Sequence, residues 1–287
     1  MTRPRCDAHV HVWDPAVRDH SWLEAEDPLL RRRFDLDDYA SDATPGPDDQ
    51  VVLVQVLADL DETVETLGDA AGSGLVAGVV GWVDLEAPDV ADRLARLTEG
   101  PGGEKLVGVR HLVQSEPDPH WLSRRAVRQG LGAVARAGLA YDLLVRPRQL
   151  RSATDVARAL PDMRFVLDHA AKPEIGAGVT EPWWSVIGEL ARCENVSCKV
   201  SGLVTEAGRG WTTEQVRPYV ERILESFGPA RLMFGSDWPV CTAEATFAEV
   251  VALAHETLAS LSEAEADAFF SGTAHKAYAL RRASPGA

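Results

Sequence analysis

Cys6-Asp7-Ala8-His9-Val10-His11-Val12-Trp13-Asp14-Pro15 opens as a strand-like alternation and closes on a turn signal. On a strand, successive side chains point to opposite faces, so His9 and His11 project in parallel, with Asp7 one step deeper on the same side. Two neutral imidazoles presented in this way suit one divalent cation, because His nitrogen is a good ligand for zinc-like metals. Alone, such a pair on a surface strand is the commoner and uninformative case. Its weight comes from the far end of the chain. There Arg231-Leu232-Met233-Phe234-Gly235-Ser236-Asp237-Trp238-Pro239 is a second apolar run ending in a carboxylate at a Gly/Pro turn. A fold that brings both runs together makes them one site, and Asp7 would then orient an imidazole from behind.

Between the two runs one pattern recurs. An irregular stretch from Trp13 to Asp49 comes first, with Trp22, the basic run 31–33 and a short amphipathic segment 34–43. A loop this long is an active-site lid or wall, or a variable insertion. Strand-like runs follow at 50–56, 75–84, 106–111, 139–144, 164–169, 195–201 and 231–237. Helical stretches lie between them, such as 123–137 with Val127, Leu131, Val134 and Ala135 on one stripe. Thr212 with Gln215, and Ser262 with Glu265, read as capping boxes, the second opening a helix to Leu280. With the opening run that makes eight strand-then-helix units in 287 residues. The count predicts a single (β/α)8 TIM barrel over 1–287, with a long loop after strand 1 and an extra C-terminal helix. An open doubly wound sheet would leave strands 1 and 8 apart. Barrel closure sets His9 and His11 beside Asp237.

The formal net charge of −15 argues against nucleic acid and anionic membranes as partners, since both call for a Lys/Arg surface. No stretch reaches the roughly twenty apolar residues of a membrane span, and no signal segment precedes the first strand. Cys6, Cys193, Cys198 and Cys241 form no C-x-x-C pair and read as reduced thiols in a cytoplasmic protein.

In a barrel of this kind the chemistry gathers at the C-terminal strand ends. Those ends read His9/His11, Gln55, Trp82/Asp84, Arg110/His111, Tyr141/Asp142, Asp168/His169, Lys199/Ser201 and Asp237. Polar groups crowded on a concave surface are costly unless paired or used. Asp168 and His169 have opposite strand parity, and His169, in phase with Phe165 and Leu167, is expected to face the axis. Arg110 and His111 pose the same choice, which the sequence leaves open. His20, His120, His255 and His275 read as incidental.

The strand-1 His9-x-His11, the strand-end His169 and the strand-8 Asp237 resemble the amidohydrolase superfamily of metal-dependent hydrolases. The resemblance runs from Cys6 to Gly272-Thr273-Ala274. Segments 108–114, 165–169, 199–202 and 234–239 resemble more closely the amidohydrolase-2 branch. That branch includes the L-fucono-, L-rhamnono- and pyrone-dicarboxylate lactonases. The resemblance implies hydrolysis of a sugar-acid lactone, with Asp237 as general base and His169 and Lys199 also catalytic. It implies one divalent ion, zinc for preference and dispensable in some relatives, on His9, His11, His169 and Asp237. Arg110, Tyr141, Trp22, His111 and Gln55 would bind substrate. A small-molecule lactone is the expected partner, and a homo-oligomer is compatible with the resemblance. Binuclear relatives carry a Lys on strand 4, where this chain has Arg110-His111, so at most one metal is expected. A mononuclear decarboxylase is the rival reading. It calls for a further late His, and strand 7 offers Lys199 instead. A barrel that binds a sugar acid without turnover is the third.

Overall fold

Short runs of Val, Leu and Ala, with no helical stripe, set the strands. The computed structural model describes residues 3–280. Its strands are β1 Cys6–Val10, β2 Gln50–Val54, β3 Val76–Gly81, β4 Leu106–His111, β5 Ala140–Leu143, β6 Phe165–Leu167, β7 Val196–Val200 and β8 Leu232–Phe234. They pair in sequence order, every pair parallel. The ring closes just beyond β8, where Asp237 N donates to His9 O at 2.9 Å and His11 N to Trp238 O at 2.7 Å. This is the expected (β/α)8 barrel.

The short helix α1 Leu36–Ala43 precedes β2. Helices α2 Leu60–Ala71, α3 Val90–Glu99, α4 Arg125–Arg136, α5 Leu150–Ala159 and α6 Trp183–Ala191 follow β2 to β6. α7 Leu203–Ala207 and α8 Thr213–Phe227 follow β7, and α9 Phe247–Thr257 follows β8. The Thr212/Gln215 capping box forms as its spacing predicts. The helix expected over 262–280 starts on its Ser262/Glu265 box but is interrupted. α10 Glu263–Asp267 passes through one wider turn, Ala268–Gly272, into α11 Thr273–Ala277.

That last segment fills the barrel. Ala274, Ala277, Tyr278 and Leu280 form one apolar cluster with Cys6, Ala8, Val52, Val54, Val80, Val107, Ala140, Val166 and Met233. Small residues make the space: a Cβ on Gly78 would stand 2.7 Å from Val107, and one on Gly108 3.5 Å from the Tyr278 ring. The bulkier alternate positions Tyr141, Leu143, Phe165 and Leu167 belong to the larger cluster that includes the helices. The phase of β6 is therefore the reverse of the sequence expectation, with Val166 inside and Phe165 and Leu167 outside.

The long segment after β1 is a packed wall. Trp13 pairs with Phe34 through both backbone groups. Edge-to-face contacts then run from Trp13 to Phe34 (5.3 Å), Phe34 to Trp238 (5.5 Å), Trp238 to Tyr39 (5.4 Å) and Tyr39 to Phe247 (5.7 Å). Among the described residues no helix is long and apolar enough to cross a membrane.

Candidate active site

β1 contains an extra residue: Asp7 pairs with Val51 and Val10 with Leu53, three residues against two. One inserted residue reverses the side-chain phase. Ala8 thus lies in the inner cluster, and His9 and His11 turn inward as well. Asp7 does not orient an imidazole. Its carboxylate accepts from Ser236 N (2.8 Å), His9 N (3.2 Å) and the Tyr39 hydroxyl (3.2 Å), which fastens β1 to β8 by the backbone.

On β6 the parity argument fails for a different reason. The strand ends at Leu167, and His169, Ala170, Ala171 and Lys172 take left-handed φ of 49°, 49°, 63° and 52°. Such a conformation costs an L-residue roughly 1–2 kcal/mol, and strain of this kind clusters where function demands a fixed geometry. Asp237 is held the same way, at φ 60°. As a result Asp168 and His169 both enter the site. Gly202 allows the approach: its own φ is 64°, and a Cβ there would stand 2.7 Å from His169 Nδ1 and 3.0 Å from Asp237 Oδ2.

Four side chains converge at the closing seam. Asp237 Oδ1 lies 3.6 Å from His11 Nε2, 3.7 Å from His9 Nε2 and 3.9 Å from His169 Nε2, and the His9 and His11 Nε2 atoms are 3.1 Å apart. Burial pushes His9 and His11 below their ordinary range, His9 further because the Lys199 cation adjoins it, and takes His169 down to about 4. Burial alone would raise Asp237, but His169, His11 and His9 outweigh it and hold the carboxyl well below the usual range. At neutral pH the site is one carboxylate facing three neutral imidazoles.

Beneath it lies a second layer of ion pairs. Lys199 is fully buried, its Nζ 2.7 Å from Asp142 Oδ2, 2.9 Å from Asp168 Oδ1 and 3.0 Å from His9 Nδ1. Expected at the substrate, Lys199 stands here among the charged groups of the floor. Arg110, not His111, faces inward. It donates to Asp168 Oδ2 (3.1 Å), Gln55 Oε1 (3.2 Å) and the Gln55 carbonyl, and its Nη1 lies 3.2 Å from His9 Nε2. Gln55 Nε2 donates to Arg110 O at 3.3 Å, so Arg110 and Gln55 are engaged with each other.

Of the other expected substrate contacts, Tyr141 lies behind the strands, whereas His111 and Trp22 stand half-buried. Tyr141 is fully buried in the strand–helix layer, edge-on to Phe165 at 6.3 Å, because its phase puts it outside the strands. Half-buried His111 accepts from Trp82 Nε1 (3.1 Å), donates to Glu116 (2.8 Å) and stacks on Trp121 at 4.2 Å. Half-buried Trp22 packs edge-on against Trp13 at 5.4 Å. Asp142, Asp168 and Ser201, read from the sequence only as polar strand ends, belong to this cluster, and Tyr278 is a member that the sequence reading did not single out. A usable signal was residue size, since Ala140 and Asp142 share the small-residue phase that lines this barrel.

The amidohydrolase family model matches residues 6–280. The chain belongs to the amidohydrolase family. It is 37% identical to the L-fucono-1,5-lactonase of Burkholderia multivorans, with 96% of each chain covered. It is 39% identical to that of Burkholderia ambifaria over 82% of this chain and 80% of the relative. The zinc-bound structure of an amidohydrolase from Burkholderia multivorans superposes with a TM-score of 0.88 at 36% identity, covering 97% of this chain and all of that one. The 5-carboxyvanillate decarboxylase of Novosphingobium aromaticivorans, at 16% identity and TM-score 0.67, covers 97% of both chains and shares the fold alone.

The donor set of this amidohydrolase suits one small divalent ion. Bonds of about 2.0–2.2 Å in a tetrahedron imply donor separations of roughly 3.3–3.6 Å. Here His9, His11 and Asp237 stand 3.1–3.7 Å from one another, and His169 lies 3.9 Å from Asp237. His11 Nδ1 donates to Val54 O at 2.7 Å, which leaves its Nε2 lone pair facing the cluster. His169 Nδ1 is braced by Ser201 Oγ at 2.9 Å. His9 offers Nε2 as a ligand only when its Nδ1 proton turns to Asp168 Oδ1, 3.4 Å away, in place of accepting from Lys199. Asp168 converges with His9 and His169 too, but Lys199 and Arg110 already engage it.

Proposed function

We propose that this amidohydrolase opens a sugar-acid lactone, an aldonolactone such as L-fucono-1,5-lactone, to its free acid. The observation that carries the reading is the convergence of Asp237 with His9, His11 and His169 at the barrel seam. The lactonase relatives support the substrate class.

Lactone hydrolysis requires a polarised carbonyl, a deprotonated water and a proton for the leaving alkoxide. Asp237 serves as general base. One oxygen, Oδ1, faces the imidazoles, and Oδ2 lies against Gly202, whose missing side chain permits that close approach. The carboxylate takes a proton as the water oxygen bonds to the carbonyl carbon. It returns that proton to the ring oxygen as the acyl C–O bond breaks. The carboxylate acts on water as that water attacks an already polarised carbonyl. When bound by His9, His11, His169 and Asp237, a divalent ion, with zinc the expected occupant, supplies that Lewis acidity. The buried floor excludes water and fixes His9, while His111 and Trp22, both half-buried, are the groups proposed to meet the sugar.

The test is a pH-indicator assay on a panel of L- and D-aldonolactones, with and without chelator, beside the double variant H9A/H11A. Acidification above the spontaneous rate that is lost in the variant supports the reading, and chelator sensitivity reports on the metal. No lactone opened faster than it opens spontaneously would overturn it.

A further inference from the structure

The reaction proposed above takes place on a floor assembled from distant parts of the chain, and its lowest member comes from the segment that fills the barrel. Tyr278 is fully buried, and its hydroxyl donates to Asp142 Oδ2 at 2.6 Å. The same oxygen accepts from Lys199 Nζ at 2.7 Å, and that ammonium lies 5.4 Å from the centre of the Tyr278 ring. Lys199 Nζ in turn stands 3.0 Å from His9 Nδ1. No ordinary core requires such a chain. A tyrosine in the inner cluster otherwise touches apolar residues, and one phenylalanine would fill the same space between Gly108 and Met233.

We propose that Tyr278 is a positioning residue for the active site, holding Asp142 so that Lys199 is kept against His9. The proposal rests on the lactonase reading only for its kinetic readout. The geometry leaves Asp142 little else to rely on. Among the described residues its other oxygen, Oδ1, is buried with no hydrogen-bond partner, so Tyr278 and Lys199 supply its hydrogen bonds. A buried carboxylate that loses one of two donors shifts toward the other or takes up a proton. Either change alters what Lys199 presents to Asp168 and His9. The effect passes through His9, which stands at the seam, and leaves the half-buried rim groups His111 and Trp22 untouched. Turnover should therefore suffer while substrate binding does not.

The substitution Tyr278→Phe removes one oxygen and keeps the ring. Its expected effect is a fall in kcat of about tenfold or more with KM changed less than about threefold. Leu280→Ala is the control: it trims the same segment at a residue with no polar contact to the floor. It should lower the unfolding midpoint and leave kcat within about twofold. A second readout does not depend on any lactone being turned over. In full-length protein labelled with 15N-histidine, the His9 ring nitrogens should shift in Tyr278→Phe and stay unchanged in Leu280→Ala. Unchanged His9 resonances in Tyr278→Phe overturn the proposal, as does an equal kcat loss in both variants. Shifted resonances in a protein that opens no lactone retain it and reject the lactonase reading.

Discussion

The two buried polar layers of this barrel hold their carboxylates in opposite states. In the floor, Asp142, Asp168, Lys199 and Arg110 sit 2.7–3.1 Å apart with cation matched to anion. At the seam, Asp237 stands 3.6–3.9 Å from three neutral imidazoles, too far for strong hydrogen bonds. The floor pairs each charge with an opposite one, although Asp142 Oδ1, Asp168 Oδ1 and Arg110 Nε have no hydrogen-bond partner among the described residues. The seam keeps its lone pairs for something else. Burial is equal in both, so burial alone does not mark a reactive group. What separates them is whether the partners already present satisfy it.

The strongest test acts on the seam. Asp237→Asn keeps size and removes both charge and basicity, and turnover should fall at least about a hundredfold, the usual range for loss of a general base. KM should change little. A variant that retains most of its rate would place Asp237 among the structural residues and leave the contrast between the layers without functional content.

The floor predicts a different failure. Lys199→Met leaves Asp142 and Asp168 facing each other with only Arg110 and Tyr278 to offset them, so the protein should lose roughly 3–5 kcal/mol of stability, read by denaturant unfolding. Were Lys199 a substrate grip instead, KM would rise and stability would stay. The outcome separates a matched layer from a reactive one.

The sequence allows some of this to be read and hides the rest. The eightfold strand–helix alternation and the Gly/Pro turn at Asp237 are local signals, and they suffice for the barrel and for the meeting of its first and last strands. Side-chain direction is less accessible. A single inserted residue in β1 gives Asp7 and His9 different partners, and a left-handed turn at 169–172 with no glycine in it admits Asp168 and His169 together. Neither leaves a composition signal. The reach of Tyr278 to Asp142 depends on interior positions being as small as Ala8, Gly78, Gly108 and Ala140, a property of four strands at once. Size phase, read along each strand, would have recovered Asp142 and removed Tyr141.

Glu62 sharpens the comparison by showing a buried carboxylate with no adjacent cation. Its oxygens accept from Val56 N and Leu57 N, and burial pushes it up to about 7 despite those bonds and the more distant Arg110 and Arg18. The folded protein therefore keeps a proton that the unfolded chain releases near 4.5. Between about pH 4.5 and 7 the folded state binds more protons, so this group's contribution to stability declines as pH rises, by at most about 3 kcal/mol. Glu62→Gln removes the titration. The stability difference between variant and parent, measured by denaturant unfolding across that window, should move in favour of the variant with rising pH. A difference independent of pH would mean that backbone N–H donors alone keep a buried carboxylate ionised here, as the cations do for Asp168.

The smallest expected effect belongs to Tyr141, which the family resemblance places at the substrate and the fold places behind the strands. Its hydroxyl is buried with no side-chain partner among the described residues, and the His111 backbone approaches it. So loosely engaged a hydroxyl contributes little, and Tyr141→Phe should change stability by no more than about 1 kcal/mol. Lactone turnover should stay within about twofold, because the ring keeps its packing against Phe165 and nothing polar reaches the seam from that side. Tyr278→Phe deletes the same atom from the same residue type at equal burial. Running the two together holds the chemistry of the substitution constant and varies only the partner: the Asp142 carboxylate for one hydroxyl, no side chain for the other. Equal effects from the two would mean that the loss of any buried hydroxyl is felt alike, and the distinction between a matched floor and an inert core would collapse.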